Sequence, residues 1–264
     1  MRSHPTRILL LRRSHVAWLA ALALSAAIFY VVARPAAVAA GTTARQLPIY
    51  SVECRAPLCS ISFDAAWGNE DTQQLIDILA RYNVKTTFFV VGDWVDKYPE
   101  SVKALHDAGH EVMNHSNHHD HYNSLTADEI IADVTACNEK IAKVTGVTPT
   151  LIRCPYGEYD DHVIAAIRSM GMEPIQWDVD SLDWKDYDAA TICSRVTGKA
   201  EQGSIVLFHN AALHTPEALP EILEALIQKG LTVVPISQLI YWENYTIDHT
   251  GRQFAAQPET ETTT

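Results

Sequence analysis

The sequence predicts an α/β fold in which parallel strands close into a barrel, and three observations lead there. From residue 60 onward, short strand-like runs alternate with helical patterns, and glycines bound many of the junctions. Strands separated one by one by helices pair in parallel. The third observation is where polar residues fall: Asp64, His115, Arg153, Asp178 and His209 each stand at or just past the C-terminal end of a different run. In a barrel those ends converge on one cleft, so a closed sheet would gather all five.

The first strand is read in "SISF" (60–63), ending on Asp64, and "DTQQLIDILARY" behind it has helical spacing. "TTFFV" (86–90) gives the next strand and "YPESVKALHDAG" the next helix; "EVMN" then precedes a loop rich in histidine. "TADEIIADVTACNEKIAKVTG" is the clearest helix, with Thr126 and Glu129 at capping-box spacing and Gly146 at its end, where side-chain oxygens and a glycine satisfy the orphan backbone groups. Further strands are expected at 150–153, 173–177, 204–208 and 231–234, and helices at 160–170, 187–200 and 217–229. Thr215 ahead of Pro216 reads as the cap of the last helix. "GRQFAAQPETETTT", from Gly251, has little to bury and reads as a disordered tail.

With 264 residues and 47 % apolar content, the chain is long enough for one domain of roughly 200 residues with a full core. Acids outnumber bases by 32 to 20, and arginines crowd the stretch before Glu53, which leaves a domain too acidic for nucleic acid or another polyanion. The organisation expected is a basic cytoplasmic segment at 1–14, a signal anchor or transmembrane helix at 15–34, a linker and lead-in at 35–57, the folded domain at 58–240 and a C-terminal extension at 241–264. The uncharged run Val16–Ala33 follows Arg12 and Arg13, so the positive flank stays cytoplasmic and the domain is expected outside the cell membrane, on a single-pass anchor. "AVA" at Ala37–Ala39 also resembles a signal peptidase site, which would leave a secreted form. The five cysteines, at 54, 59, 137, 154 and 193, cannot all pair within the chain. Export permits a Cys54–Cys59 bond, while Cys137 and Cys193 fall in helical patterns as small buried groups. No obligate protein partner is evident.

In "NHSNHHDH", His115 and His119 are four residues apart, a spacing that on a turn can aim two imidazoles at one metal, with His118 or His121 as substitutes. Asp64 reads as a general base, a metal ligand or a polar cap of its turn, and Arg153 as the group that would hold its carboxylate ionised. His209, with Asp183 or Asp178 beside it, could be kept protonated and deliver a proton to a leaving group. Together these suit hydrolysis of an amide. Trp67, Tyr156, Trp177 and Trp184 would add flat surfaces on which sugar rings lie, or would simply fill core.

"SFDAAWG", "TTFFV", "GHEVMNHSNHH", "RCPYG", "WDVDSLDW" and "IVLFHN", in that order, resemble the polysaccharide deacetylase family (NodB-homology domain, carbohydrate esterase family 4) over about residues 58–240. The resemblance implies a distorted (β/α)7 barrel that removes acetyl groups from N-acetylated sugars, with a divalent metal cation, Zn2+ being the expected ion. It places the base on Asp64, metal ligands on His115 and His119, the base-orienting arginine on Arg153, the acid on His209, the aspartate that tunes it on Asp183, and an oxyanion-holding backbone amide at Tyr156. Trp67, Trp177 and Trp184 would bind substrate, an N-acetylated glycan such as peptidoglycan. The family's usual first motif, TFDDG, has a second aspartate that is a metal ligand, and it maps to Ala65. In this the chain resembles a sporulation-associated, membrane-tethered subgroup whose motif reads FD-x-x-WG; a metal held without that carboxylate should be weakly bound. Cys154 stands where proline is usual.

Overall fold

The computed structural model of the chain describes residues 45–256. The expected segments 1–14 and 15–34 lie outside the described residues, as does the chain beyond 256. Among the described residues no helix is long and apolar enough to cross a membrane.

In chain order the elements are β1 (Ser51–Val52), β2 (Leu58–Ala65), α1 (Thr72–Arg81), β3 (Thr87–Val90), α2 (Gly92–Lys97), α3 (Pro99–Asp107), β4 (Glu111–Asn114), α4 (Ala127–Thr145), β5 (Leu151–Ile152), α5 (Asp161–Ser169), β6 (Glu173–Pro174), β7 (Val179–Asp180), α6 (Ala189–Thr197), β8 (Ile205–His209), α7 (Thr215–Gln228), β9 (Thr232–Val233), α8 (Ile236–Leu239), β10 (Tyr245–Ile247) and β11 (Arg252–Ala255). The strand–helix alternation of the sequence is thus present, and so is the Thr126–Glu129 capping box of α4, which ends on Gly146 in the left-handed region.

The main sheet runs β6-β5-β4-β3-β2-β8-β7 with β9 joined to the start of β2, and every pairing in it is parallel. Its two end strands do not pair with each other among the described residues, so the expected closed barrel is corrected to a curled, open sheet. The reason lies in the lead-in: Ile49 bridges to Ile175, donating to the Pro174 carbonyl at 3.0 Å and accepting from the Gln176 N–H at 2.7 Å. The edge groups that closure needs are thereby already satisfied.

β2 shows how the sheet separates core from cleft. Its odd positions, Cys59, Ile61, Phe63 and Ala65, enter the apolar layer together with Leu75 and Leu79 of α1 and Leu219 and Leu223 of α7. Its even positions, Ser60, Ser62 and Asp64, are polar yet buried. A period of two sends alternate side chains to opposite faces. Strands covered on both sides are usually apolar throughout, so a polar inner row needs partners inside the sheet.

Two expectations are corrected at the ends of strands. Asp178 does not stand at the cleft end: its carboxylate accepts from Ser204 Oγ (2.8 Å) and the Ile205 N–H (2.8 Å) at the start of β8. The tail is ordered as far as β11, which pairs with β1 in parallel and β10 antiparallel. Gln253, fully buried, accepts from the Tyr241 N–H and donates to the Tyr241 carbonyl. Backbone pairing and one buried amide hold this segment, whose composition offers few apolar residues. The five cysteines are free thiols.

Gly203 ties β1 to the main sheet, accepting from the Val52 N–H at 2.9 Å and donating to the Leu58 carbonyl at 2.7 Å. Its φ is +85°, and a Cβ there would lie 1.7 Å from the Val52 oxygen. Gly203→Ala is therefore expected to cost more than about 1 kcal/mol of stability, read as a lower denaturant midpoint; an unchanged midpoint would show that this contact constrains nothing.

Candidate active site

Arg153 leads the fully buried side chains in size, and the inner row of β2 exists around it. Its Nη1 donates to Asp64 Oδ1 at 2.7 Å, and its Nη2 donates to Ser62 Oγ at 2.9 Å and the Gln176 carbonyl at 3.1 Å. The guanidinium also lies 4.3 Å from the Phe89 ring centre and 5.4 Å from that of Trp177, close enough for cation–π attraction. Burial pushes the Asp64 carboxyl upward, but the charge and hydrogen bond of Arg153 prevail and hold it below the ordinary carboxylate value.

His115 is fixed from behind. Its Nδ1 meets the Arg153 carbonyl at 2.7 Å; a carbonyl only accepts, so Nδ1 carries the proton and Nε2 presents its lone pair, 3.5 Å from Asp64 Oδ2. His119 packs edge-on against His115 (centroids 5.0 Å) and Tyr156 (4.5 Å), with its N–H held by Ser116 Oγ at 2.9 Å. Burial lowers the pKa of His115 and that of His119, the latter to about 4. Both rings are thus neutral near pH 7, the form in which imidazole binds a metal.

The pair is therefore a chemically sound donor set for a divalent cation, yet a small one. Among the described residues no group of three or more His, Cys, Asp or Glu side chains is arranged to hold a metal. Ala65 is 1 % exposed within the core layer, whereas Ala66 is the alanine that lines the cleft. His118 and His121 turn away, His118 to Asp93 (3.0 Å) and His121 to Glu158 (2.9 Å). Cys154 packs with Tyr122, Ile130 and Ile152 in an apolar cluster, so it is no candidate ligand.

The second pair is His209 with Asp183, which is 0 % exposed. His209 Nδ1 bonds Asp183 Oδ1 at 2.8 Å, and the His209 N–H donates to Oδ2 at 2.8 Å. The Trp184 N–H and Thr215 Oγ1 donate to the same carboxylate at 3.0 and 2.7 Å. Thr215 is thus not the helix cap, a position taken by His214; it orients the aspartate. Burial lowers the His209 pKa, but the hydrogen bond and charge of Asp183 outweigh it and the net shift is upward. Asn210 then brackets the neighbouring loop: it accepts from the Ala66 N–H (3.2 Å) and donates to the Gly68 carbonyl, setting Trp67 over His209 with centroids 5.5 Å apart.

Asp64, His115, His119, His209, Tyr156, Trp67, Trp177 and Trp184 all line one cleft of about 380 Å³, with Asp180 among them. Arg153 and Asp183 stand behind it as partners. Tyr156 is exposed, with φ of 59°. Sequence reading missed Asp180, Asn210, Thr215 and Ser62; Asp180 and Asn210 lie inside the quoted "WDVDSLDW" and "IVLFHN", but which of several polar residues in a motif turns inward depends on the strand's register.

A family profile described as Polysaccharide deacetylase matches residues 52–175. Two relatives from Bacillus subtilis (strain 168) carry the names peptidoglycan-N-acetylmuramic acid deacetylase PdaC and PdaA. The first is 34 % identical over 189 residues, 72 % of this chain and 40 % of its own length; the second is 30 % identical over 185 residues, 69 % of this chain and 70 % of its own. The chain thus spans less than half the length of the first. A solved structure from Bacillus anthracis, described as a CE4 family pseudoenzyme, superposes with a TM-score of 0.71 at 33 % identity, covering 73 % of this chain and 68 % of that one. A mutant of the same pseudoenzyme, described as having restored enzymatic activity, gives 0.70 at 34 % identity, with 73 % and 70 % covered.

Two outcomes are expected from this geometry. Asp183→Asn should lower the His209 pKa, followed by the ring-proton shifts in an NMR titration, because the ionic partner of the imidazolium is gone; an unmoved pKa would separate the two groups electrostatically. Ala65→Asp should push a carboxylate into the apolar layer and lower the melting temperature, with divalent-metal affinity by calorimetry unchanged. Tighter metal binding would instead show that position 65 reaches the cleft.

Proposed function

This chain belongs to the polysaccharide deacetylase family, and from that premise we propose that it hydrolyses the N-acetyl group of an amino sugar in peptidoglycan or a related polysaccharide, releasing acetate. One observation carries the reading. Asp64 and His209 are register partners on the adjacent strands β2 and β8, and their surroundings push them to opposite protonation states. A carboxylate kept ionised beside an imidazole kept protonated is the acid–base couple that amide hydrolysis needs.

Asp64, oriented by Arg153, accepts a proton from the attacking water. His209, oriented by Asp183 and Thr215, delivers its Nε2 proton to the departing amine nitrogen. The Tyr156 N–H donates to the oxygen that gains charge at the acyl carbon. A divalent cation, Zn2+ being our choice, would be held by His115 and His119 and would supply Lewis acidity at that oxygen. Trp67, Trp177 and Trp184 offer the sugar its apolar walls. We place the domain outside the cell membrane, carried by the segment 15–34, and in the sporulation-associated subgroup by its FDAAWG motif.

A second reading, a glycan-binding protein without turnover, is favoured by the two-histidine donor set and the likeness to a pseudoenzyme. Acetate release from purified peptidoglycan and from oligomeric N-acetyl sugars, with and without added Zn2+, separates the two. On the enzymatic reading His209→Gln and Asp64→Asn each lose at least about 100-fold in rate, while only Asp64→Asn loses much stability, because it strands the buried Arg153 charge. No acetate from wild type under any metal condition would give the second reading the site.

A further inference from the structure

We infer that Gln176 is a positioning residue of the site: its side-chain amide anchors a relay of two peptide groups that aims the Tyr156 N–H. The inference rests on the proposed hydrolysis, in which that N–H receives the oxygen gaining charge at the acyl carbon.

The loop after β5 carries a strained backbone. Tyr156 and Gly157 are consecutive residues with φ of 59° and 68°, and both line the cleft. The left-handed region crowds the Cβ of any residue but glycine, so Tyr156 stays there only while its surroundings hold it. Its ring stacks on His121 with centroids 4.1 Å apart and meets His119 edge-on at 4.5 Å. Those contacts fix the side chain; the direction of the N–H depends on the peptide groups around it.

Two of those groups connect Gln176 to Tyr156. Gln176 Nε2 donates to the Gly157 carbonyl at 2.8 Å; a carbonyl only accepts, so the nitrogen of the amide is the end that faces it. That carbonyl shares its peptide group with the Glu158 N–H, which donates to the Pro155 carbonyl at 3.1 Å. The Pro155 carbonyl in turn shares its peptide group with the Tyr156 N–H. In a planar trans peptide the N–H and the C=O point opposite ways, so each bond sets the direction of the next donor and the Tyr156 N–H is turned away from Glu158. Among the described residues no acceptor meets it. Hydrogen bonds in such a chain polarise one another, which strengthens the terminal donor as well as aiming it.

Gln176 has the fixity an anchor needs. It is buried, its N–H donates to the Ile49 carbonyl at 2.7 Å, and its carbonyl accepts from Arg153 Nη2 at 3.1 Å. The same guanidinium holds Asp64, so the proposed base and the proposed oxyanion donor are set from one point of the backbone. A Cβ on Gly157 would lie 2.8 Å from the Trp177 ring and 3.4 Å from Gln176 Oε1; the loop rests directly on residues 176 and 177.

Gln176→Met keeps the length of the side chain and removes the donor. Two ligands read its effect: a tetramer of N-acetylglucosamine, and the same tetramer with one acetyl group replaced by a methylphosphonyl group in amide linkage, a tetrahedral anion with a charged oxygen where hydrolysis would develop one. By calorimetry on the full chain at a fixed Zn2+ concentration, wild type should bind the anionic analogue at least about tenfold more tightly than the neutral tetramer. In Gln176→Met that preference should shrink at least about fivefold, with affinity for the neutral tetramer within about twofold, because the donor acts on the charged oxygen. Turnover should show the same split, kcat falling about tenfold and KM moving less than about twofold. Should the methionine variant not fold, Gln176→Asn, one methylene too short to reach the Gly157 carbonyl, is read the same way. A wild type without the preference, a preference unchanged in the variant whatever its melting temperature, or equal losses for both ligands would overturn the inference. Acetate release is scored separately: a preference that depends on Gln176 without acetate leaves the positioning standing and removes the hydrolase reading, whereas acetate with an unchanged preference removes the inference alone.

Discussion

A guanidinium buried in the middle of a parallel sheet is the constraint from which the rest of this domain follows. Arg153 has no exposed surface, and leaving its charge unpaired there would cost several kcal/mol, about 3–5 when one partner of such a pair is removed. The inner face of β2 therefore carries Ser62 and Asp64 in place of aliphatic residues, and the Gln176 carbonyl is turned toward Nη2. Asp64 answers to two demands at once, neutralising the arginine and presenting a carboxylate to the cleft. A purely catalytic view of Asp64, in which the amide variant folds as well as wild type, overlooks the first of these.

The same economy governs His209. Its partner Asp183 has both oxygens engaged by donors from three places: the His209 ring and N–H, the Trp184 N–H and Thr215 Oγ1. A carboxylate so surrounded cannot swing away, and an imidazole attached to it keeps both its tautomer and its proton. Asp64 is pushed down by a cation and His209 up by an anion, while they share one rung of the β2–β8 ladder. The separation of the two protonation states thus comes from what lies behind the cleft.

Much of this was legible in the sequence. The strand–helix alternation, the capped helix α4 and the gathering of Asp64, His115, His119, Arg153, Asp183 and His209 at one end of the sheet were all readable from spacing and motif. The failures have physical causes. Closure of the barrel depended on what occupies the sheet edge, and a single residue of the lead-in, Ile49, does so through backbone bonds that no side-chain pattern reports. The ordering of β11 rests on backbone pairing and on Gln253, whose burial contradicts its polarity. Asp178 and Asp180 are two residues apart in one motif, yet Asp178 anchors the start of β8 and Asp180 faces the cleft.

The loop after β2 brings these threads together. In "FDAAWG" the residue after Asp64 ends the strand and packs into the apolar layer. The next alanine lines the cleft, and Trp67 beyond it is set over His209 by Asn210, which grips the backbone on both sides of the tryptophan. A loop held this tightly spends its hydrogen bonds on placing an aromatic wall beside His209. Asp64 and His209 are thus both supported by buried partners, and among the described residues no group of three or more His, Cys, Asp or Glu side chains gathers beside them to hold a metal.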